Sequence, residues 1–422
     1  MVYQGEELML NLLRKGTRRA GAFFLFASVA IACILAASAL TRAAVQRYGD
    51  KVQVGLTDEE SAALETLGEL LKMEDGKPLT VDPNLVEAAR ALARQYQNNT
   101  ADVNSTLSTQ NRTKVMGEHG IYENSLRCIP LFFSTSDDIR SQLKLREKSG
   151  TVRYTQVGAG AAMPRGMKYG VMVIVLADKR TELSPFPRQV NLPSSWTLRG
   201  KLANSCRGSK AKVLLTSPGG KVQSIEAKMN GDSFSATIPF NQGAGTYHLE
   251  VEAVGSGTAK IAALMEVTAG GAGGSSSSTF EVSGFDRVPG DEAEAEDMML
   301  EMINQVRFKE GLEAVSDDPH LKELARAQSR DMKERQYVGH LSPEFGTLSD
   351  RVQAAGLSGY AIKENVALDN DLAQAMNNLL KSPAHRAVII DPDVNTVGVG
   401  IAFSGQGNDR QYYVSQEFAK IY

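Results

Sequence analysis

Cysteine is scarce. Three residues in 422 are too few for a disulfide-built scaffold. Cys33 falls in an apolar run, which leaves Cys128 and Cys206 as the pair that would share a compartment. Pairing outside the cytoplasm stays open, because spacing alone does not fix disulfide geometry. An excess of positive charge is also missing. A net charge of −3 supplies no basic face and argues against a nucleic-acid binder. Histidine is rare too, at five residues, so any imidazole chemistry rests on very few positions. Ser342 and Ser382 lie near histidines, but no motif supplies the base and oxyanion hole of a serine nucleophile.

What is present is ordinary globular material in more than one domain. Hydrophobic residues make up 42% and charged residues 23% of the chain. A length of 422 residues predicts two to four cores. Residues 20–41 carry no charged side chain, with Lys15, Arg18 and Arg19 before them and Arg42 after. As a helix they would span about 33 Å, enough for a bilayer core. The basic cluster keeps residues 1–19 cytoplasmic and sends the rest outside. The alternative is a cleaved signal peptide with Ala37-Ser38-Ala39 at the cut, which makes the protein secreted. A lipoprotein signal ending at Cys33 fits less well, because the apolar run continues past it.

The chain resembles itself. Asp82-Pro83-Asn84-Leu85 falls on Asp318-Pro319-His320-Leu321 at an offset of 236, and Ala89-Arg90-Ala91 on Ala325-Arg326-Ala327. Glu123-Asn124 matches Glu364-Asn365 at 241, and Val157-Gly158-Ala159-Gly160 matches Val397-Gly398-Val399-Gly400 at 240. The expectation is one α+β fold used twice, over residues 57–182 and 296–422, with helices on a small sheet. In each copy Asp before Pro suits the cap and first position of a helix. The first copy lacks the chemistry: Asn99 or Asn104 stands where His340 would be. His119 and Glu123, four apart, would make at most a weak metal pair there. Between the copies, residues 183–268 alternate in short runs separated by turns such as Pro218-Gly219-Gly220 and Asn230-Gly231-Asp232. That pattern predicts an Ig-like β-sandwich acting as a spacer, with His248 packed mid-strand. Residues 269–295 read as a Gly/Ser/acidic linker.

Six strings in order then mark residues 296–422. They are Asn304-Gln305-Val306-Arg307, His340 before Ser342-Pro343, Glu364-Asn365-Val366-Ala367, Ser382-Pro383-Ala384-His385-Arg386, Val397-Gly398-Val399-Gly400, and Tyr413-Val414-Ser415-Gln416-Glu417-Phe418. This pattern resembles the CAP superfamily (cysteine-rich secretory proteins, antigen 5, pathogenesis-related 1; SCP domains), in its cysteine-poor bacterial branch. The resemblance implies an α-β-α sandwich, with the first copy a degenerate domain of the same kind. It also implies a cleft of two histidines and two acids able to hold a divalent metal. His340 matches the first histidine and Glu364 the first acid. Tyr413 stands where the eukaryotic branch has its second histidine, and Ala375–Leu379 offers no second acid. His385 matches the Gly-His-Arg string of the bacterial branch.

The cleft candidates are therefore His340, Glu364, His385 and Tyr413. Three readings of them remain. His340, Glu364 and His385 would suit Zn²⁺ with water in a fourth position; a His–Glu pair would suit general acid–base work; or the pair ties a loop to the core. The function classes are correspondingly three. One is an exported, membrane-anchored envelope protein whose CAP domain binds a lipid, a cell-wall glycan or a protein. The second is an envelope hydrolase, and the third a structural envelope protein.

Overall fold

The computed structural model describes residues 47–98, 109–147, 149–163, 168–255, 259–270, 281–285, 287–357, 361–405 and 410–421. The apolar segment 20–41, Cys33, the Gly/Ser stretch 271–280, Asn99 and Asn104 lie outside these residues. Among the described residues no helix is long and apolar enough to cross a membrane. Residues 47–422 form one compact unit. The fold class is α+β.

In the first region the elements are α1 (Asp58–Leu70), β1 (Thr80–Val81), α2 (Pro83–Asn98), α3 (Thr109–Glu118), β2 (Leu126–Phe133), α4 (Ser136–Arg146), β3 (Gln156–Ala162) and β4 (Gly170–Ala177). Capping starts the helices. Thr57 and Glu60 close a capping box on α1. The Asp82 carboxylate accepts from the amides of Asn84 and Leu85, with Pro83 next in line. The sheet runs β1-β3-β4-β2. Even and odd strand positions serve opposite faces. Met172, Ile174 and Leu176 pack on Leu67 and Ile139 of α1 and α4. Val173, Val175 and Ala177 pack on Leu85, Leu92 and Val115 of α2 and α3. The result is two helical layers around one sheet.

The middle region is a pair of sheets sharing one apolar core. Its main strands are β5 (Ser194–Leu202), β6 (Lys210–Thr216), β7 (Val222–Glu226), β8 (Ser233–Phe240), β9 (Gly245–Val254) and β10 (Lys260–Ala269). One sheet is ordered β10-β9-β6-β7, the other pairs β8 with β5, and each gains short flanking strands. Phe234, Ile238 and Phe240 from one sheet meet Val213, Leu249 and Val251 from the other. Tyr122, from the loop before β2, enters this core, and its hydroxyl donates to the Thr181 carbonyl. Cys128 and Cys206 are both free thiols.

The last region has α5 (Glu292–Lys309), β11 (Ser316–Asp317), α6 (Pro319–Glu334), α7 (Leu348–Ala354), β12 (Lys363–Asp369), α8 (Leu372–Lys381), α9 (Pro383–Ile389), β13 (Thr396–Ser404) and β14 (Gln411–Ala419). Its sheet runs β11-β13-β14-β12, with the same senses as the first sheet: one parallel and two antiparallel pairings. Details recur as well. Asp318 caps α6 as Asp82 caps α2. Arg326 clasps Glu296 with two hydrogen bonds, as Arg90 clasps Glu60. Gly398 and Gly400 let α6 sit against β13 so closely that an added Cβ would lie 2.0 and 2.1 Å from the Leu321 and Ala325 carbonyl carbons. Gly158 and Gly160 do the same for α2, at 2.3 Å from the Leu85 and Ala89 carbonyl carbons.

Strand register corrects one alignment. Glu364 pairs with Glu417, and Glu417 with Gly398. The equivalent path from Gly158 leads to Val175 and then to Cys128. Cys128, not Glu123, therefore occupies the place of Glu364. Glu123 lies in the loop before β2, where its short match to Glu364-Asn365 does not survive the register.

Candidate functional site

His340 sits in the loop between α6 and α7, and the loop is tied down on several sides. Gln328 of α6 donates to the Gly339 carbonyl at 2.8 Å, and Arg351 of α7 to the His340 carbonyl at 3.0 Å. The buried Ser342 hydroxyl accepts from the amides of Glu344 and Phe345, closing a tight turn. The imidazole Nδ1 lies 2.8 Å from Glu364 Oε1, and the ring remains 31% exposed. The Arg351 guanidinium donates to the other oxygen of Glu364. One carboxylate thus orients a histidine on one side and holds a buried arginine on the other.

Beneath that pair lies a second acid. Glu417 is fully buried and directly opposite Glu364 across the β12–β14 ladder. Its Oε1 accepts from the Ser415 hydroxyl at 3.2 Å. Burial, then the Glu364 charge and a shared hydrogen bond, push its pKa well above the carboxylate range. Burial would raise Glu364 as well, but the His340 hydrogen bond and the Arg351 charge more than offset it, leaving Glu364 below its ordinary value. The two acids are therefore pushed apart: the surroundings favour a proton on Glu417 and ionisation of Glu364.

His385 approaches from the other side. Its ring centroid lies 6.2 Å from that of His340. It is the third residue of α9, after the Ser382 cap and Pro383. Burial, with a smaller contribution from His340, pushes its pKa down to about 3, so the ring is neutral. Asn365 of β12 donates to its backbone carbonyl at 3.1 Å.

The structure thus brings His340, Glu364 and His385 together. Tyr413 takes a different place. It lies on the same strand as Glu417 but only 2% exposed, packed with Met332, Val366 and Ala402. Its side chain is packed in the core rather than exposed to an open cleft. Leu341 and Phe345, in the same loop as His340, are 58% and 52% exposed. Glu417 and Arg351 were missed from sequence. A lone glutamate at an inward position of an apolar strand was the available signal for the first; the second had none.

In this structure the cluster is held together by hydrogen bonds through Glu364. Both oxygens of Glu364 are engaged, one by the His340 imidazole and the other by the Arg351 guanidinium. Among the described residues no group of three or more His, Cys, Asp or Glu is arranged to hold a metal ion.

Comparison with known proteins bears on the last region of the chain. The model of the cysteine-rich secretory protein family, CAP, matches residues 300–418. Those residues are a CAP domain. The chain is 33% identical over 127 residues to the uncharacterized membrane protein YlbC of Bacillus subtilis, covering 30% of this chain and 34% of that protein. It is 33% identical over 111 residues to the uncharacterized protein YkwD of the same organism, covering 26% of this chain and 43% of that protein. The chain therefore spans well under half the length of these relatives. An extracellular SCP-domain protein from Bacillus anthracis is similar at 20% identity and a TM-score of 0.28, covering 47% of this chain and 67% of that one.

Proposed function

We propose that this is an exported cell-envelope protein, anchored through residues 20–41, whose CAP domain binds an amphiphilic ligand beside His340. One observation carries the reading: a partly exposed imidazole, fixed by Glu364 and its partner Arg351, sits in a loop that also exposes the apolar side chains of Leu341 and Phe345. A polar head would meet the imidazole, and an acyl chain would cover the two apolar side chains. The first region serves as a degenerate CAP-like domain that supports the second, since Cys128 and Val175 replace the paired acids.

The test is flotation of residues 47–422 with phosphatidylglycerol or phosphatidylcholine vesicles, beside soluble peptidoglycan fragments. Burying a large apolar side chain contributes about 1.5–3 kcal/mol. The Leu341→Ser/Phe345→Ser variant should therefore bind vesicles at least about tenfold more weakly. Equal vesicle binding by this variant, or binding of peptidoglycan alone, would refute the amphiphile reading.

The proton on Glu417 favours a second reading, acid–base hydrolysis of envelope peptide or glycan. It lies one hydrogen bond from Glu364 and two from His340. Fragment release by the wild type that Glu417→Gln abolishes would support it.

A further inference from the structure

The Ser382–Arg386 string faces two ways. His385 is turned towards His340, while Ser382 and Arg386 leave the CAP domain and bind the β-sandwich. The Ser382 hydroxyl donates to Glu250 Oε2 of β9 at 2.5 Å. The same hydroxyl accepts from the His385 amide at 3.4 Å. A hydrogen-bonded chain therefore runs from the backbone of His385 to a fully buried carboxyl group of the neighbouring region. The Ala384 amide also reaches that oxygen, at 3.5 Å. Arg386, itself fully buried, donates to the Gly220 carbonyl in the β6–β7 turn and to Glu310 at the end of α5.

We propose that Glu250 of the sandwich is a positioning residue for the His340 cleft. Through Ser382 it fixes the first turn of α9, so docking of the sandwich and placement of His385 are a single event. The two backbone polar groups of His385 are held by different regions: its amide through Ser382 by Glu250, its carbonyl by Asn365 of β12. A seven-residue helix has little stability of its own, so its register depends on these anchors. The sandwich is then part of the cleft's machinery rather than a spacer. The charged groups at this junction are Glu252 and Lys212 beside Glu250, and Lys381, Arg386 and Glu266 beside His248. The inference rests on the cleft being the working site, but its test does not use a ligand.

The full chain is labelled with ¹³C at histidine Cε1, which gives five ring signals, each assigned by its own His→Gln variant. Hydrogen exchange of a peptide spanning residues 383–389 is followed beside them. Ser382→Ala and Glu250→Ala should displace or broaden the His385 signal and speed exchange of α9 by roughly tenfold, the loss of one buried hydrogen bond. His119 and His320, far along the chain, report that the fold persists. Glu250→Gln, whose amide oxygen still accepts from Ser382, should restore the wild-type His385 signal. Ser382→Ala removes one hydroxyl and decides the matter if Glu250→Ala unfolds. An unchanged His385 signal and unchanged α9 exchange in Ser382→Ala would overturn the proposal. Failure of vesicle binding with these responses intact would instead count against the ligand reading alone.

Discussion

Removing the Arg351 guanidinium is the sharpest test of how the site is held. The Arg351 and Glu364 side chains are only 5% and 1% exposed, so water cannot replace the lost partner. Arg351→Met would leave Glu364 buried and ionised beside Glu417 and would release the His340 carbonyl. Breaking a buried pair from one side costs about 3–5 kcal/mol. Glu364 has an escape: it can take up a proton, at about 1.4 kcal/mol per unit of pKa change. That escape puts the expected cost toward the lower part of the range for a broken buried pair, about 3–4 kcal/mol. A domain of about 120 residues loses roughly 0.25 kcal/mol per degree near its midpoint, so the CAP transition should fall by about 12–16 °C. Calorimetry at pH 7 measures this directly. Two further results belong to the same reasoning. The loss should shrink at low pH, where Glu364 is protonated. Arg351→Met with Glu364→Gln should recover more than half of it, since no buried charge remains. A single-variant cost below about 1 kcal/mol, as for an exposed pair, would refute the account, as would a double variant less stable than the single one.

Gly400→Ala places a methyl 2.1 Å from the Ala325 carbonyl carbon, where helix backbone cannot yield. It should cost about 3 kcal/mol or more, and Gly160→Ala should act alike; urea unfolding of each would show it. Burial pushes the Glu250 pKa up to about 7, so between about 4.5 and 7 the folded chain holds a proton that the unfolded chain has lost. That contribution is complete below the unfolded value and is lost as pH rises through 7, up to roughly 3 kcal/mol. Glu417 slopes the same way, whereas His248 opposes it by losing stability as pH falls below the ordinary histidine range. The Glu250→Gln variant should therefore show a flatter pH–stability curve than wild type over this range, and an identical curve would count against a buried neutral Glu250. Cys206, buried in the sandwich core, should react with a thiol reagent only under conditions that unfold the sandwich.

Local chemistry was the part of the fold most open to reading. Asp82-Pro83 and Asp318-Pro319 announce helix starts because a cap involves only three or four neighbouring residues. Val157–Gly160 and Val397–Gly400 could be matched because glycine at alternate strand positions is rare and physically demanding. Glu123-Asn124 misled because two residues carry no register, and register is set by the opposite strand. Glu417 gains its role from facing Glu364 across a ladder 53 residues away in sequence, and Arg351 from the direction in which α7 enters. The first leaves only an inward glutamate on its strand as a local trace, and the second leaves none. The same holds for Glu250, whose partner Ser382 lies 132 residues further on.

The glycine seam divides each sheet into a part that cannot vary and a part that can. At positions 158, 160, 398 and 400 any side chain strikes helix backbone, so this chain is confined to glycine there. One strand away the constraint vanishes: the rung that carries Glu417 and Glu364 in one region carries Val175 and Cys128 in the other. Mutational drift can therefore rewrite the chemistry of the outer rungs while the helix–sheet contact beside them stays untouched.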